Sequence, residues 1–300
     1  MNSNLLNMAL QLSVQDMFSS SWFSSALMNK VWMETMRSSV NGLIRKTGGA
    51  DLLGTALGGS LRGDAAMLRQ ASSNVFEAHS MMSMAATAAG NIAGQLKEAQ
   101  GLAGNFLAAT QGMTDPDDPG YTVLRDKFQA QYAAISKNID SIIQNTRYNG
   151  IALLDGSAWI NGDERLAVTR DASNNPVAAS VHIQAGDSGF PLTFNNMSPE
   201  FSDVVNAHKL IDDSSGGTGL PRPEALTELS SLQRSAQTLA DLYAGRAGSL
   251  QSQAASLQSQ ATILEEAAAL RAKTPAPVST ENLLLNLILR DGGGLFSGKG

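Results

Sequence analysis

The residues best suited to proton transfer or metal binding near neutral pH are His79, His182 and His208. They fall in a helix-like, a strand-like and a loop-like stretch, so their spacing supplies neither a catalytic triad nor a ligand set. The chain has no Cys, which excludes disulfides, thiolate zinc sites and Cys nucleophiles. HExxH, GxxxxGK[ST], GxSxG and a GxGxxG between strand and helix are all absent. Asp115, Asp117 and Asp118 crowd one turn and could offer oxygens to Ca²⁺. Their spacing is not that of an EF-hand, and a solvated acidic turn is the expectation. Asn196-Met197-Ser198 matches a glycosylation sequon, a signal of only three residues. An enzyme would need a catalytic set within 157–220, where Asp163, Glu164, Asp171 and His182 form no recognisable motif. No catalytic, cofactor-binding or metal-ligating residue is assigned, and no enzyme is expected.

Composition narrows the class. Aromatic residues are 5% and apolar residues 43% of the chain. Much Ala and few aromatic rings suit long helices packed closely, and the apolar fraction is too high for wholesale disorder. A net charge of −6 offers no basic face for nucleic acid or anionic lipid. No run of ~18 apolar residues suggests a membrane span. The first twenty residues contain no Lys or Arg, so a secretory n-region is missing. Export, if it occurs, is expected to use a route without a cleaved signal.

The elements follow from periodicity and breakers. Residues 1–46 are rich in Met, Leu, Ser and Trp, with helical spacing through Trp22, Ala26, Val31, Trp32 and Met36. This is either an amphipathic helix covering a core or a terminal helix that folds against copies of itself. GGADLLGTALGGS, residues 48–60, reads as a flexible connector. A helical pattern runs over 64–110, through Val75, His79, Met82, Ala86, Ala89 and Ala93. It is broken by MTDPDDPG at 113–120. The next helix is expected from Pro119 or Thr122 to about Thr146, with a seam of Leu124, Phe128, Tyr132, Ile135, Ile139 and Ile142. QNTRYNGIALLDG, 144–156, then reads as a helix end, an Asn149-Gly150 reversal, a short apolar run and a second reversal at Asp155-Gly156. Leu166–Thr169, Val181–Gln184 and Phe190–Phe194 are strand candidates, and 212–223 is a loop.

The last long helix, 224–273, contains no Pro. Leu229, Ala236, Tyr243, Leu250, Leu257 and Leu264 recur every seven residues, with Leu232 and Leu239 in the alternate seam position. A sustained period of seven implies left-handed supercoiling against partner helices. Fifty residues would give a rod of roughly 75 Å, which needs long partners. TPAPVST at 274–280 ends it, followed by a short apolar helix over 281–290 and a Gly-rich tail. The chain thus divides into a divergent N-terminal helical segment and connector (1–60), N-terminal rod helices (61–155), a β-hairpin and loop region (156–222), a C-terminal rod helix (223–273) and a terminal segment (274–300). A narrow-seamed helical rod can bury area against its own copies, and a head-to-tail contact that does not close gives a filament.

This order of elements resembles the flagellin family. AISKNIDSIIQNTRYNGIALLDG, 134–156, looks like that family's I-x-x-I-x-x-x-T-x-[FY]-N-G-x-x-LL-[DN]-G pattern, with Asn149, Gly150, Leu153, Leu154, Asp155 and Gly156 in the motif turn. SNVFEAHSMMSMAATAAGNIAGQLKEAQGLAGN, 73–105, looks like the helix leading to the family's RELA segment, here Leu96-Lys97-Glu98-Ala99. VHIQAGDSGFPLTFNNMS, 181–198, is similar to its strand pair. The likeness covers about 73–200, with 224–272 fitting by position and period. The implied fold is mainly α: an elongated antiparallel helical bundle or coiled-coil rod with a small β-hairpin region, like the D1 domain of flagellins. The implied function is a structural subunit of a bacterial flagellar filament, exported unfolded and self-assembling outside the cell for motility. The implied partners are copies of itself, an export chaperone, and cap or junction proteins, without nucleic acid or a membrane span. A hook–filament junction protein is the near alternative. A non-flagellar coiled-coil scaffold or secretion partner is the distant one, and it predicts no β structure at 151–200.

Overall fold

The computed structural model describes residues 50–160, 164–186, 188–202, 204, 209, 211 and 221–273. In chain order the elements are α1 (Ala50–Ala109), α2 (Pro119–Asn145), β1 (Arg147–Tyr148), β2 (Ile151–Ala152), α3 (Gly156–Trp159), β3 (Leu166–Arg170), β4 (Pro176–Ala185), β5 (Ser188–Asn195), α4 (Ser198–Phe201) and α5 (Glu224–Lys273). The fold is mainly α, with two small antiparallel sheets ordered β1-β2 and β3-β4-β5. The expected segments 1–46 and 281–290, with His208 and Asp163, lie outside the described residues.

One boundary departs from the sequence reading. The stretch expected as a connector is helical from Ala50 onward. Each Gly there costs about 1 kcal/mol relative to Ala, but a helix already formed downstream extends cheaply by one hydrogen bond per residue. No Pro interrupts it. The other end is set by Thr110, whose Oγ1 donates to Phe106 O at 2.7 Å, and by Gly112 at φ 84°. α2 opens where the acidic turn was read. Asp118 is its N-cap, accepting from Gly120 N–H at 2.7 Å and Tyr121 N–H at 3.1 Å, and Pro119 follows.

The described residues form two compact units. The first takes in Ala78–His182 and Pro191–Gly248. Here α1 buries Ala78, Met82, Ala85, Ala89, Ile92, Leu96, Ala99, Ala103 and Phe106, each at most 1% exposed. Their steps alternate four and three residues, a heptad seam. His79 and Ala86, read from the sequence as seam residues, are half-buried beside it. In α5 Leu229, Leu232, Ala236, Leu239 and Tyr243 are buried. A Cβ at Gly104 would lie 3.9 Å from Leu226, and one at Gly90 would lie 4.0 Å from Ala240, so α1 and α5 run antiparallel here. α2 turns back on α1, with the Phe106 ring 6.1 Å from Tyr121 and 5.5 Å from Phe128. Along α2, Tyr132, Ile135 and Ile139 are buried, while Leu124 and Phe128 are half-buried. The last seam position falls on Ile143, 1% exposed, and Ile142 is only half-buried. A helix of 3.6 residues per turn drifts, and here the final step is four residues rather than three.

α4 joins two helices of this unit. Ser202 Oγ donates to Asp140 Oδ1 of α2 at 2.7 Å. Burial pushes the Glu200 carboxyl above its ordinary range, partly offset by a hydrogen bond from Ser235 of α5. A raised carboxyl pKa favours the fold below the ordinary carboxyl value and loses that contribution as pH rises through the shifted value. Glu200→Gln is therefore expected to raise the thermal midpoint at neutral pH, with the gain shrinking as the medium is acidified. Melting curves of both proteins across the acid range check this, and a gain that grows in acid would contradict it.

The second unit draws its described residues from 50–77, 183–190 and 249–273. Leu61, Ala65 and Leu68 of α1 pack with Ala261, Leu264, Ala267 and Ala268 of α5. Ser72 Oγ donates to Ala254 O at 2.8 Å, and Asn74 Nδ2 donates to Gln184 O at 2.9 Å at the tip of the β4–β5 hairpin. Arg69 and Glu265 form an exposed ion pair, a kind worth little in water.

Candidate functional site

The carboxylates and histidines named from the sequence serve local structure. His79 Nδ1–H donates to Ala247 O at 2.9 Å. His182 is exposed on β4. Asp115 and Asp118 accept backbone N–H groups of their own turn. Asp171 Oδ1 accepts from Ser173 N–H and Asn175 N–H at 2.9 and 2.8 Å, closing the β3–β4 turn where Asn174 takes φ 64°. Among the described residues no group of three or more His, Cys, Asp or Glu is placed to hold a metal. A shallow groove of about 500 Å³ runs past Gly90, Gly94, Asn138, Ser141 and Ile142. It holds no ionisable side chain among its lining residues.

The most constrained site is the corner where α2 gives way to the strands. α2 stops at Thr146, whose backbone N–H and Oγ1 both donate to Ile142 O, at 3.1 and 2.6 Å. Leu153 N–H returns to Thr146 O at 2.9 Å. Between them Asn149 and Gly150 take φ 47° and 82°, the paired positive values of a two-residue hairpin turn joining β1 to β2. Leu153 and Leu154 are fully buried.

Asp155-Gly156 is not the second reversal that the sequence suggested. Asp155 has φ −102° and caps α3, its Oδ1 accepting from Ser157 N–H at 3.0 Å and Ser157 Oγ at 2.6 Å. Gly156 is required for space rather than for positive φ. A Cβ there would sit 2.1 Å from Asn196 Nδ2 and 2.3 Å from its Cγ. Asn196 is held in place: Nδ2 donates to Pro176 O at 2.7 Å, while Oδ1 accepts from Gly156 N–H at 2.9 Å and Ser198 N–H at 3.1 Å. Its backbone N–H donates to Val177 O, and Met197 N–H donates to Leu154 O, both at 2.9 Å. The sequon asparagine thus uses both Nδ2 and Oδ1 to tie the corner together.

Two more residues complete the corner. Trp159 is 1% exposed and its Nε1–H donates to Ala152 O at 2.8 Å. Tyr243 of α5 accepts Asn195 N–H on its hydroxyl at 2.9 Å, and its ring lies 6.2 Å from Phe194. Burial pushes the Tyr243 pKa up to about 12, against smaller lowering effects of the Asn195 bond and Arg246, so the hydroxyl stays protonated at neutral pH. Sequence reasoning found the Asn149-Gly150 turn, the two leucines and the Tyr243 seam position. It missed the structural role of Asn196, whose partners Gly156 and Pro176 lie far along the chain, and it missed Trp159, which sits in a helix of four residues. The corner does set the Ser157 hydroxyl against the Asp155 carboxylate, but that contact belongs to the cap of α3. The corner's chemistry is that of a structural joint where helix, strand and turn meet, with Asn195 Nδ2 a buried polar atom that finds no partner among the described residues.

A family model for the bacterial flagellin N-terminal helical region matches residues 25–158. The match begins within the Met- and Trp-rich segment that the sequence reading set apart as divergent, and it ends inside α3. No curated protein matches the chain.

Proposed function

We propose, from the family-model match over residues 25–158, that the chain is a member of the flagellin family and a structural subunit of a bacterial flagellar filament. It is exported unfolded, assembles outside the cell on copies of itself, and serves motility. Its further partners are an export chaperone and the cap or junction proteins that bound such a filament. The match over 25–158 carries this reading, and its end falls in the corner built by the motif turn. The paired long helices with Ala-rich seams support it, since small seam residues let helices approach closely and stack repeatedly. The motif-turn residues and the α2 and α5 seam residues are the proposed determinants of the subunit's fold. No helix among the described residues is long and apolar enough to cross a membrane.

The strands over 166–195 count against a coiled-coil scaffold, which would need no sheet there. The hook–filament junction reading differs in copy number and in whether the pure protein polymerises alone.

Truncation tests the proposal. Residues 1–46 carry helically spaced apolar residues and 281–290 a run of five Leu and one Ile, and apolar segments of this kind can serve as adhesive between copies. Removing either is expected to leave the helical circular dichroism of the middle intact while abolishing filaments and swimming. Unchanged filaments from both truncated proteins would overturn the proposal.

A further inference from the structure

We propose that residues 243–248 form a phase joint in α5, the place where this helix opens first while its flanks stay closed. The seam itself shows the change. Upstream, the partner of each seven-residue position lies three residues on: Leu229 with Leu232, Ala236 with Leu239. Downstream it lies four residues on: Leu250 with Ala254, Leu257 with Ala261, Leu264 with Ala268. The switch falls at Leu239, Tyr243 and Ala247, where two steps of four follow one another. Such a stutter locally unwinds the supercoil, so the seam changes phase here. Ala240 is buried as well as Leu239, so the two phases overlap for one turn.

Three further observations fall on the same residues. Gly245 and Gly248 flank Ala247, and a Cβ at either would meet nothing within 4 Å. Neither glycine has a positive φ, so neither packing nor backbone geometry requires Gly, and both loosen the helix. His79 Nδ1–H donates to the Ala247 carbonyl at 2.9 Å, placing a side-chain donor on the backbone ladder at the turn where the phase changes. The Tyr243 hydroxyl is held by Asn195 N–H from the end of β5, which latches the joint from one side. Glycines alone do not produce this. α1 carries Gly90, Gly94, Gly101 and Gly104, yet its seam keeps alternating four and three from Ala78 to Phe106.

Hydrogen exchange on the full-length monomer, read by mass spectrometry, tests the joint independently of any assembly. Amides of 244–251 are expected to exchange about tenfold faster than those of 229–239 and 257–268. Tyr243→Phe unlatches the joint and is expected to speed exchange at 244–251 about tenfold further, leaving 257–268 unchanged. Gly245→Ala and Gly248→Ala are each expected to slow those amides about fivefold. Uniform protection along α5 would overturn the proposal. So would variant effects spread evenly over the helix, which mark a change in global stability alone.

Discussion

Replacing Gly156 by Ala is expected to destabilise the protein by about 3 kcal/mol, the cost of displacing a side chain that satisfies several part-buried groups. The new methyl would sit 2.1 to 2.7 Å from three atoms of the Asn196 amide. A free side chain would rotate away, but this one is tied to Pro176 O, Gly156 N–H and Ser198 N–H. Moving it strands at least two of those groups. Asn196→Ala removes the obstacle and the bonds together, so it is expected to be costly alone. The double variant is expected to cost clearly less than the sum of the singles, because the clash exists only while Asn196 is present. Urea denaturation of the four proteins gives the coupling. Additive costs would contradict the geometry of the corner.

Trp159→Ala is expected to cost about 4 kcal/mol, in the range for deleting a fully buried large aromatic side chain. The ring is 1% exposed, and Nε1–H satisfies Ala152 O at 2.8 Å on the neighbouring strand. Trp159→Phe keeps most of the buried ring and loses the donor, so about 1–2 kcal/mol is expected. The same denaturation series checks the order. An alanine variant as stable as the phenylalanine variant would mean that the ring does not fill this corner.

These two positions also mark what the sequence could and could not reveal. Asn149-Gly150 was legible because positive φ is a local demand that few residues meet. The α5 seam was legible because a period of seven is written in consecutive residues, and each expected position from Leu229 to Leu264 is buried. Asp155-Gly156 looked like a second reversal because Asp and Gly favour turns. Its role was set by Asn196, forty residues on, whose approach no local pattern records. Trp159 sits in a four-residue helix too short to carry periodicity. Ile142 and Ile143 both fit a helical stripe, and the choice between them was made by the facing helices. The connector over 48–60 was misjudged for the opposite reason: local glycine content was outweighed by a long helix extending through it. Short-range constraints were readable, and long-range ones were not.

The proposed function requires that copies of this chain join in an open-ended array. Negative-stain electron microscopy of the purified full-length protein at rising concentration addresses it most directly. Filaments or tubes of uniform diameter that lengthen with concentration are the expected result. Discrete closed oligomers of fixed size at every concentration would contradict it.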